Sequence, residues 1–246
     1  MGTIGLFGQA GGLNFKHGGS QNAIGYGSTI GNDGITDPGD IGGLNNIQYH
    51  TPAGLLPLGA VLKVAYGLSG NDTSKPGDSV VDTYTSGVRN ARNASLELAP
   101  IDGVKIGASY YTDDAAADTT DNGQVNESGA AYVSYTYGNF GIGYTKGYVA
   151  PALAKTNTSV NEYINTSYSI GFKANDSTTI SYGVEKSEAT HMLSTTDDVE
   201  QEVTKIAAAY TTGGLTLSLG MVDYENVAYT ANKDVKATVL NMAIAF

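Results

Sequence analysis

The sequence predicts an antiparallel, all-β transmembrane β-barrel. From residue 45 to the end, apolar and polar residues alternate with a period of two, and stretches rich in Gly, Asn, Asp and Pro separate the alternating segments. The connections between these segments are short and long in strict turn along the chain. Short turns on one rim and longer loops on the other are typical of a transmembrane barrel.

Composition excludes several classes of function. The 246 residues contain 13 Lys and Arg against 24 Asp and Glu, a formal net charge of −11, so a nucleic-acid-binding surface is not expected. The chain has no Cys, which rules out disulfides, thiolate metal sites and thiol nucleophiles. No apolar run approaches the roughly 18 residues of a membrane-spanning helix, so strands would have to cross the bilayer.

The alternation predicts eleven strands. They cover residues 45–52, 60–68, 92–100, 104–112, 129–137, 140–148, 162–174, 178–186, 202–211, 215–224 and 235–246. In the strand 215–224, Leu217 and Leu219 share one face while Thr216 and Ser218 share the other. Alternation alone fits a soluble β-sandwich equally well. The regular exchange of short turns and long polar loops favours the membrane barrel.

The last strand carries a further signal. Four of its residues alternate with small or polar neighbours: Leu240, Met242, Ile244 and Phe246. The chain stops on the aromatic residue of this series. This ending resembles the terminal signal that the outer-membrane assembly machinery reads, and the resemblance implies that machinery as a partner.

Two segments carry a resemblance to a known family. Residues 41–67 read IGGLNNIQYHTPAGLLPLGAVLKVAYG. They resemble the strand, tight turn and strand that follow the constriction loop in trimeric general-diffusion porins of Gram-negative bacteria, and the resemblance continues to Phe246. The opening MGTIGLFGQ resembles the fifth strand of these 16-stranded porins, which leads into that loop.

The resemblance implies an architecture and a location. Residues 1–246 are expected to form a single β-barrel domain, and residues 10–44 are expected to contain the pore-constriction loop. A homotrimer in the outer membrane of a Gram-negative bacterium is implied, with outer-membrane lipid and lipopolysaccharide around it. The function implied is a passive, water-filled channel for ions and small hydrophilic solutes.

The number of strands leaves two alternatives. A strand beginning at Thr3 and the eleven that follow give about 12 of the 16 strands of such a porin. The chain also begins without a cationic region, an apolar region and a cleavage site, so a signal peptide and four strands are expected to be missing. The alternative is a complete 12-stranded barrel that acts as a specialised channel or as a surface anchor or adhesin, because an even strand number can close.

Acidic residues before the first of these strands are the candidates for the pore. Asp33, Asp37 and Asp40 lie in the Gly-rich stretch GNDGITDPGD. The family resemblance implies that they form the acidic half of the constriction. The other interpretation is a calcium loop or a solvated turn, although no EF-hand spacing follows the stretch.

Five basic residues are predicted to face the lumen. Lys63, Lys105 and Lys173 have inward parity close to short turns, where they form either a basic vestibule or a rim of solvated side chains, and the rim is favoured. Arg89 and Arg92 stand where a long loop enters a strand. They face the acidic loop across the pore or pair with Asp82 at the surface. The excess of acidic residues favours a channel that prefers cations.

Catalysis is not expected. Outer-membrane phospholipases with 12 strands use a Ser and a His on the outer face, and this chain has three His. His17 and His191 fall in loops and His50 has inward parity, so none is predicted beside a Ser on the lipid face. The sequence therefore predicts no enzyme, no cofactor and no metal site.

Overall fold

The structure is a computed structural model that describes residues 1–15, 35–67, 91–113, 124–152, 160–191 and 197–244. In this part of the chain, twelve strands form one antiparallel sheet in which each strand pairs with the next. The strands are β1 (Thr3–Phe7), β2 (Asn46–His50), β3 (Val61–Gly67), β4 (Arg92–Leu98), β5 (Val104–Asp113), β6 (Asn126–Tyr137), β7 (Phe140–Ala150), β8 (Val160–Lys173), β9 (Thr178–His191), β10 (Val199–Thr212), β11 (Leu215–Glu225) and β12 (Val235–Ile244). Three short 3-10 turns lie at Ile41–Gly43, Pro57–Gly59 and Val227–Tyr229.

The all-β, antiparallel prediction is confirmed. Each of the eleven predicted strands corresponds to one observed strand, and β1 begins at the predicted Thr3. The sheet is not closed, because β1 pairs only with β2 and β12 only with β11 among the described residues. Among the same residues, no helix has the length and apolar character needed to span a membrane.

Strands β8 to β10 extend further toward the long loops than the sequence predicts. β9 continues to His191, and its pairing with β10 runs on through Glu188 opposite Glu200. The outward-facing residues become polar in this part of the strands, so the apolar alternation disappears while the backbone ladder continues. The missed ends therefore mark a change of surroundings rather than a change of backbone conformation.

The two faces of the sheet have opposite character. The outward face carries exposed apolar side chains on most strands: Ile4, Tyr49, Val64, Leu96, Ile106, Val133, Ile142, Ile170, Tyr182, Ile206, Leu219 and Leu240. The inward face carries buried polar side chains: Asn46, Gln48, Asn93, Ser95, Ser128, Thr145, Asn165, Ser167, Ser187 and Gln201. An exposed apolar surface this extensive is expected where hydrocarbon, not water, is the solvent.

Charged pairs limit the apolar surface on the side of the long loops. Lys186 lies on the outward face with its Nζ 2.9 Å from Glu200 and 2.6 Å from Glu202. On the neighbouring hairpin, Lys236 Nζ lies 2.5 Å from Asp223. We call these five residues the charged border. Between it and the short turns lies the apolar band that a bilayer would cover.

Candidate functional site

The connection between β1 and β2 lies against the inward face of the sheet. We call its described parts, residues 9–15 and 35–44, the inner segment. The Leu13 N–H donates to Asn93 Oδ1 at 3.1 Å and the Phe15 N–H donates to Ser109 Oγ at 2.8 Å. The first arm of the inner segment is thus fixed to β4 and β5.

The second arm, residues 35–44, crosses the wall in the opposite direction. Asn165 Nδ2 donates to the Thr36 carbonyl at 2.8 Å, and Ser128 Oγ donates to the Gly39 carbonyl at 3.2 Å. The arm returns to β4, where the Ile41 N–H donates to Asn93 Oδ1 at 3.3 Å. Irregular backbone needs such partners when it is buried, and the polar inward face supplies them.

Carboxamides on β2 hold the two arms together. Asn46 Nδ2 donates to the Ala10 carbonyl at 3.0 Å and to the Leu44 carbonyl at 2.9 Å. Gln48 Nε2 donates to the Gly11 carbonyl at 2.5 Å. One amide group can donate twice, so two side chains satisfy the backbone at both ends of the inner segment.

Glycines in the wall make room for the inner segment. At Gly107 a Cβ would overlap the ring of Tyr132 and come 2.9 Å from Phe15, and these two rings meet edge to face at 4.9 Å. At Gly147 a Cβ would come within 3.5 Å of Pro38. The inward glycines of β5 and β7 therefore allow the segment to pack close to the sheet.

The acidic residues of the second arm are partly exposed, whereas their neighbours are buried. Five residues between 35 and 41 are buried: Ile35, Thr36, Pro38, Gly39 and Ile41. Asp37 and Asp40, the other two, are half-exposed. The Asp40 carboxylate accepts the Gly42 N–H at 2.7 Å and lies against Gly12. The third predicted acid, Asp33, lies outside the described residues.

The predicted basic residues take different positions. Lys63 and Lys105 lie on the inward face opposite Ser95 and Ser134, near the short turns. Lys173 ends β8 on the same face, and its Nζ is 3.0 Å from Asp176 in the adjoining turn. All three lie near the short turns, and their assignment to a basic vestibule or a solvated rim stays a prediction.

The prediction that Arg92 faces the lumen is wrong. Arg92 pairs with Tyr66 and Thr112 on the outward face, and its neighbour Asn93 points inward to hold the inner segment. Arg92 shares the parity of Ala94 and Leu96, the apolar residues of β4, so the pleat directs it outward. Arg89 lies outside the described residues.

Sequence reasoning missed the side chains that fix the inner segment. Asn93, Asn165 and Gln48 are carboxamides at buried inward positions of strands, and that combination is the signal that would have found them. Tyr229 also contacts the inner segment, because the Thr36 N–H donates to its hydroxyl at 3.0 Å. It lies in a long loop, where no periodicity shows which way a side chain points.

The described residues offer little for metal or acid–base chemistry. No group of three or more His, Asp or Glu in them could hold a metal ion. His50 Nε2 lies 2.8 Å from Gln48 Oε1, and His191 Nδ1 lies 3.6 Å from Asp198 Oδ1. On the inward face near the short-turn rim, Glu97 accepts a hydrogen bond from the Tyr132 hydroxyl.

Solved structures share this architecture, whereas no protein-family model and no curated protein matches the sequence. An anion-selective porin from Comamonas acidovorans is 9% identical, with a TM-score of 0.63 over 87% of this chain and 64% of that one. OmpF of Salmonella typhi, solved with daunomycin, is 13% identical, with a TM-score of 0.61 over 80% and 61% of the two chains. A porin refined at 1.8 Å is 15% identical, with a TM-score of 0.58 over 100% and 78%.

These similarities concern the fold, because the identities are low. The chain spans 64% and 61% of the first two porins. The twelve antiparallel strands, their apolar outward face and the segment on their inward face correspond to that architecture. The chain thus has the fold of the porin-like outer-membrane β-barrels, as the sequence resemblance predicts.

Proposed function

We propose that this protein is a non-enzymatic, passive channel for ions and small hydrophilic solutes across the outer membrane. The observation that carries the proposal is the inner segment, whose backbone is bonded to the polar wall while the Asp37 and Asp40 side chains stay partly exposed. A segment that narrows a water-filled lumen and presents charge there sets the size and charge of the solutes that pass. Residues 10–44 are in this proposal the constriction loop.

A channel requires a closed wall. Among the described residues, β1 and β12 each have one edge without a strand partner, and hydrocarbon cannot satisfy the N–H and C=O groups of such an edge. We propose that further strands complete the barrel and that it assembles as a homotrimer. The intact mass of the protein from its source membrane tests the first point: a mass about four strands above that of the 246 residues supports it, and an equal mass favours a barrel closed by β1 and β12. Light scattering in detergent tests the second.

The residues on the outward face indicate the partners in this proposal. Leu240, Met242 and Ile244 lie exposed on β12 and would contact the assembly machinery, together with Phe246, which lies outside the described residues. The charged border would meet the lipopolysaccharide head groups above the apolar band. Lys63, Lys105 and Lys173 would lie at the periplasmic mouth.

The proposal is tested by removing acidic charge from the inner segment. The full protein in planar bilayers should conduct, and Asp37→Asn with Asp40→Asn should lower its cation preference. A unit charge that acts at about 4 Å in water changes the free energy of an ion by about 1 kcal/mol, which corresponds to a roughly fivefold change in preference. The measurement is the reversal potential in a salt gradient.

Asp102→Asn is the matched control, because Asp102 is exposed in the short turn between β4 and β5. This variant removes one carboxylate charge from the rim and should leave the reversal potential nearly unchanged. Equal shifts in the two variants would contradict a constriction role for Asp37 and Asp40. Absence of any conductance in the wild type would contradict the channel itself.

A further inference from the structure

The connection between β11 and β12 turns toward the inward face and is held there by hydrogen bonds. The Ala228 N–H donates to Gln201 Oε1 at 2.8 Å, and Asn226 Nδ2 donates to the Glu200 carbonyl at 2.8 Å, so the connection is fixed to β10. Ala228 and Tyr229 are consecutive residues with φ of 55° and 54°. Residues that carry a Cβ rarely adopt this left-handed backbone conformation, and it persists where the surrounding structure enforces it. The conformation directs Tyr229 at the inner segment.

The Tyr229 hydroxyl completes a closed ring of hydrogen bonds. It accepts the Thr36 N–H at 3.0 Å and lies 2.7 Å from Ser187 Oγ. Ser187 Oγ donates to Asn165 Oδ1 at 2.6 Å, and Asn165 Nδ2 donates to the Thr36 carbonyl at 2.8 Å. Because Ser187 gives its one proton to Asn165, Tyr229 must donate to Ser187. Both backbone groups of Thr36 are therefore held by this ring.

The ring is shielded from water. Asn165 and Ser187 are fully buried and Thr36 is nearly so. The Tyr229 ring packs on Tyr163 with centroids 5.0 Å apart, and Val227 packs on the cluster that contains Ile35. Hydrogen bonds in such surroundings are strong, and a member left unpaired is costly. Apolar contacts on both sides thus keep the four polar residues in place.

We propose that Tyr229 is a positioning residue that holds the second arm of the inner segment against β8 and β9. The width of the channel is then set by the connection between β11 and β12 as well as by the wall. Asp37 directly follows Thr36, so release of Thr36 moves the Asp37 carboxylate into the lumen. This inference rests on the proposed channel function.

The test compares two tyrosines whose rings pack on each other. Tyr229→Phe removes a hydroxyl with two partners, whereas Tyr163→Phe removes a buried hydroxyl that has no hydrogen-bond partner among the described residues. In single-channel recordings of the full protein, Tyr229→Phe should show closures and sub-conductance states. Their population should rise by about tenfold or more, as expected when two buried hydrogen bonds are lost. Tyr163→Phe should conduct as the wild type does.

A second variant tests the ring itself. Ser187→Ala breaks the link between Tyr229 and Asn165 and should produce the same closures. The double variant should be no worse than either single variant, because all three break one ring. Ser187→Ala also decides the question where Tyr229→Phe fails to assemble. Thermal unfolding should distinguish loss of positioning from loss of the barrel. A variant that has lost only positioning should unfold in the same transition as the wild type, because its strands are still paired.

Each outcome separates the two proposals. A wild type that conducts, together with closures in Tyr229→Phe and Ser187→Ala alone, supports the positioning role. A wild type that conducts, with equal behaviour of the two Phe variants, overturns the positioning role and leaves the channel standing. A wild type without conductance overturns the channel, and the positioning role falls with it.

Discussion

The two faces of β11 show how this chain reverses the usual rule of burial. Leu217, Leu219 and Met221 on the outward face are 38%, 46% and 56% exposed, whereas Gly220 and Val222 on the inward face are buried. In a soluble sandwich, the apolar row would be the covered one. The difference teaches that the covering partner of the outward face is hydrocarbon, and that the chain itself covers part of the inward face.

The polar side chains of the inward face have hydrogen-bond partners in the inner segment. Buried polar groups cost free energy unless they form hydrogen bonds. Asn93, Ser109 and Ser128 each bond to the inner segment, whose irregular backbone needs the same partners. The wall and the segment therefore stabilise each other, and neither requires an apolar core of the usual size.

The largest expected effect comes from exchanging the character of the two faces. Leu217→Arg places a charge in the apolar band and should destabilise the protein folded in lipid by about 2 to 4 kcal/mol. Ser218→Arg, the adjacent inward position, should fold normally and lower the conductance, because it adds bulk and charge to the lumen. Urea titrations in lipid vesicles and single-channel currents measure the two effects. A destructive Ser218→Arg beside a harmless Leu217→Arg would invert the assignment of the faces.

A smaller effect tests how tightly the inner segment packs. In Gly12→Ala the new Cβ would overlap the Asp40 carboxylate, which is held by the Gly42 N–H. Overpacking of this kind costs about 1 to 3 kcal/mol, and moving Asp40 should change the conductance. Gly8→Ala is the control, since its Cβ would make only an ordinary 3.7 Å contact with Asn45. Identical currents from the two variants would show that the position of Asp40 does not matter.

The smallest effect is expected at the charged border. Lys186→Ala removes the contacts to Glu200 and Glu202, but all three side chains are partly exposed. Exposed ion pairs contribute about 0 to 1 kcal/mol, so the free energy of folding should change by no more than that. A loss as large as that of Leu217→Arg would mean that the apolar band extends past Lys186.

Sequence alone predicts the sheet well because the pleat imposes a period of two wherever lipid covers one side. It fails where that contrast ends, as in β9 beyond Lys186, because the outward residues Glu188 and Thr190 are polar there. It misplaces Arg92, because a charge beside a loop suggests the lumen, whereas the alternation of Ala94 and Leu96 places this residue on the outward face. It finds Asp37 and Asp40 from their turn-rich stretch, but not Tyr229, whose direction depends on the left-handed backbone at Ala228 and Tyr229.

The central claim is that the inward face lines water and the outward face meets lipid. The chain has no Cys, so single cysteines along β11 report on this directly. In lipid vesicles, a membrane-impermeant thiol reagent should label Thr216→Cys and Ser218→Cys and should reduce their currents, while Leu217→Cys and Leu219→Cys stay unlabelled. Labelling without this period of two, or labelling of the leucine positions alone, would contradict the account.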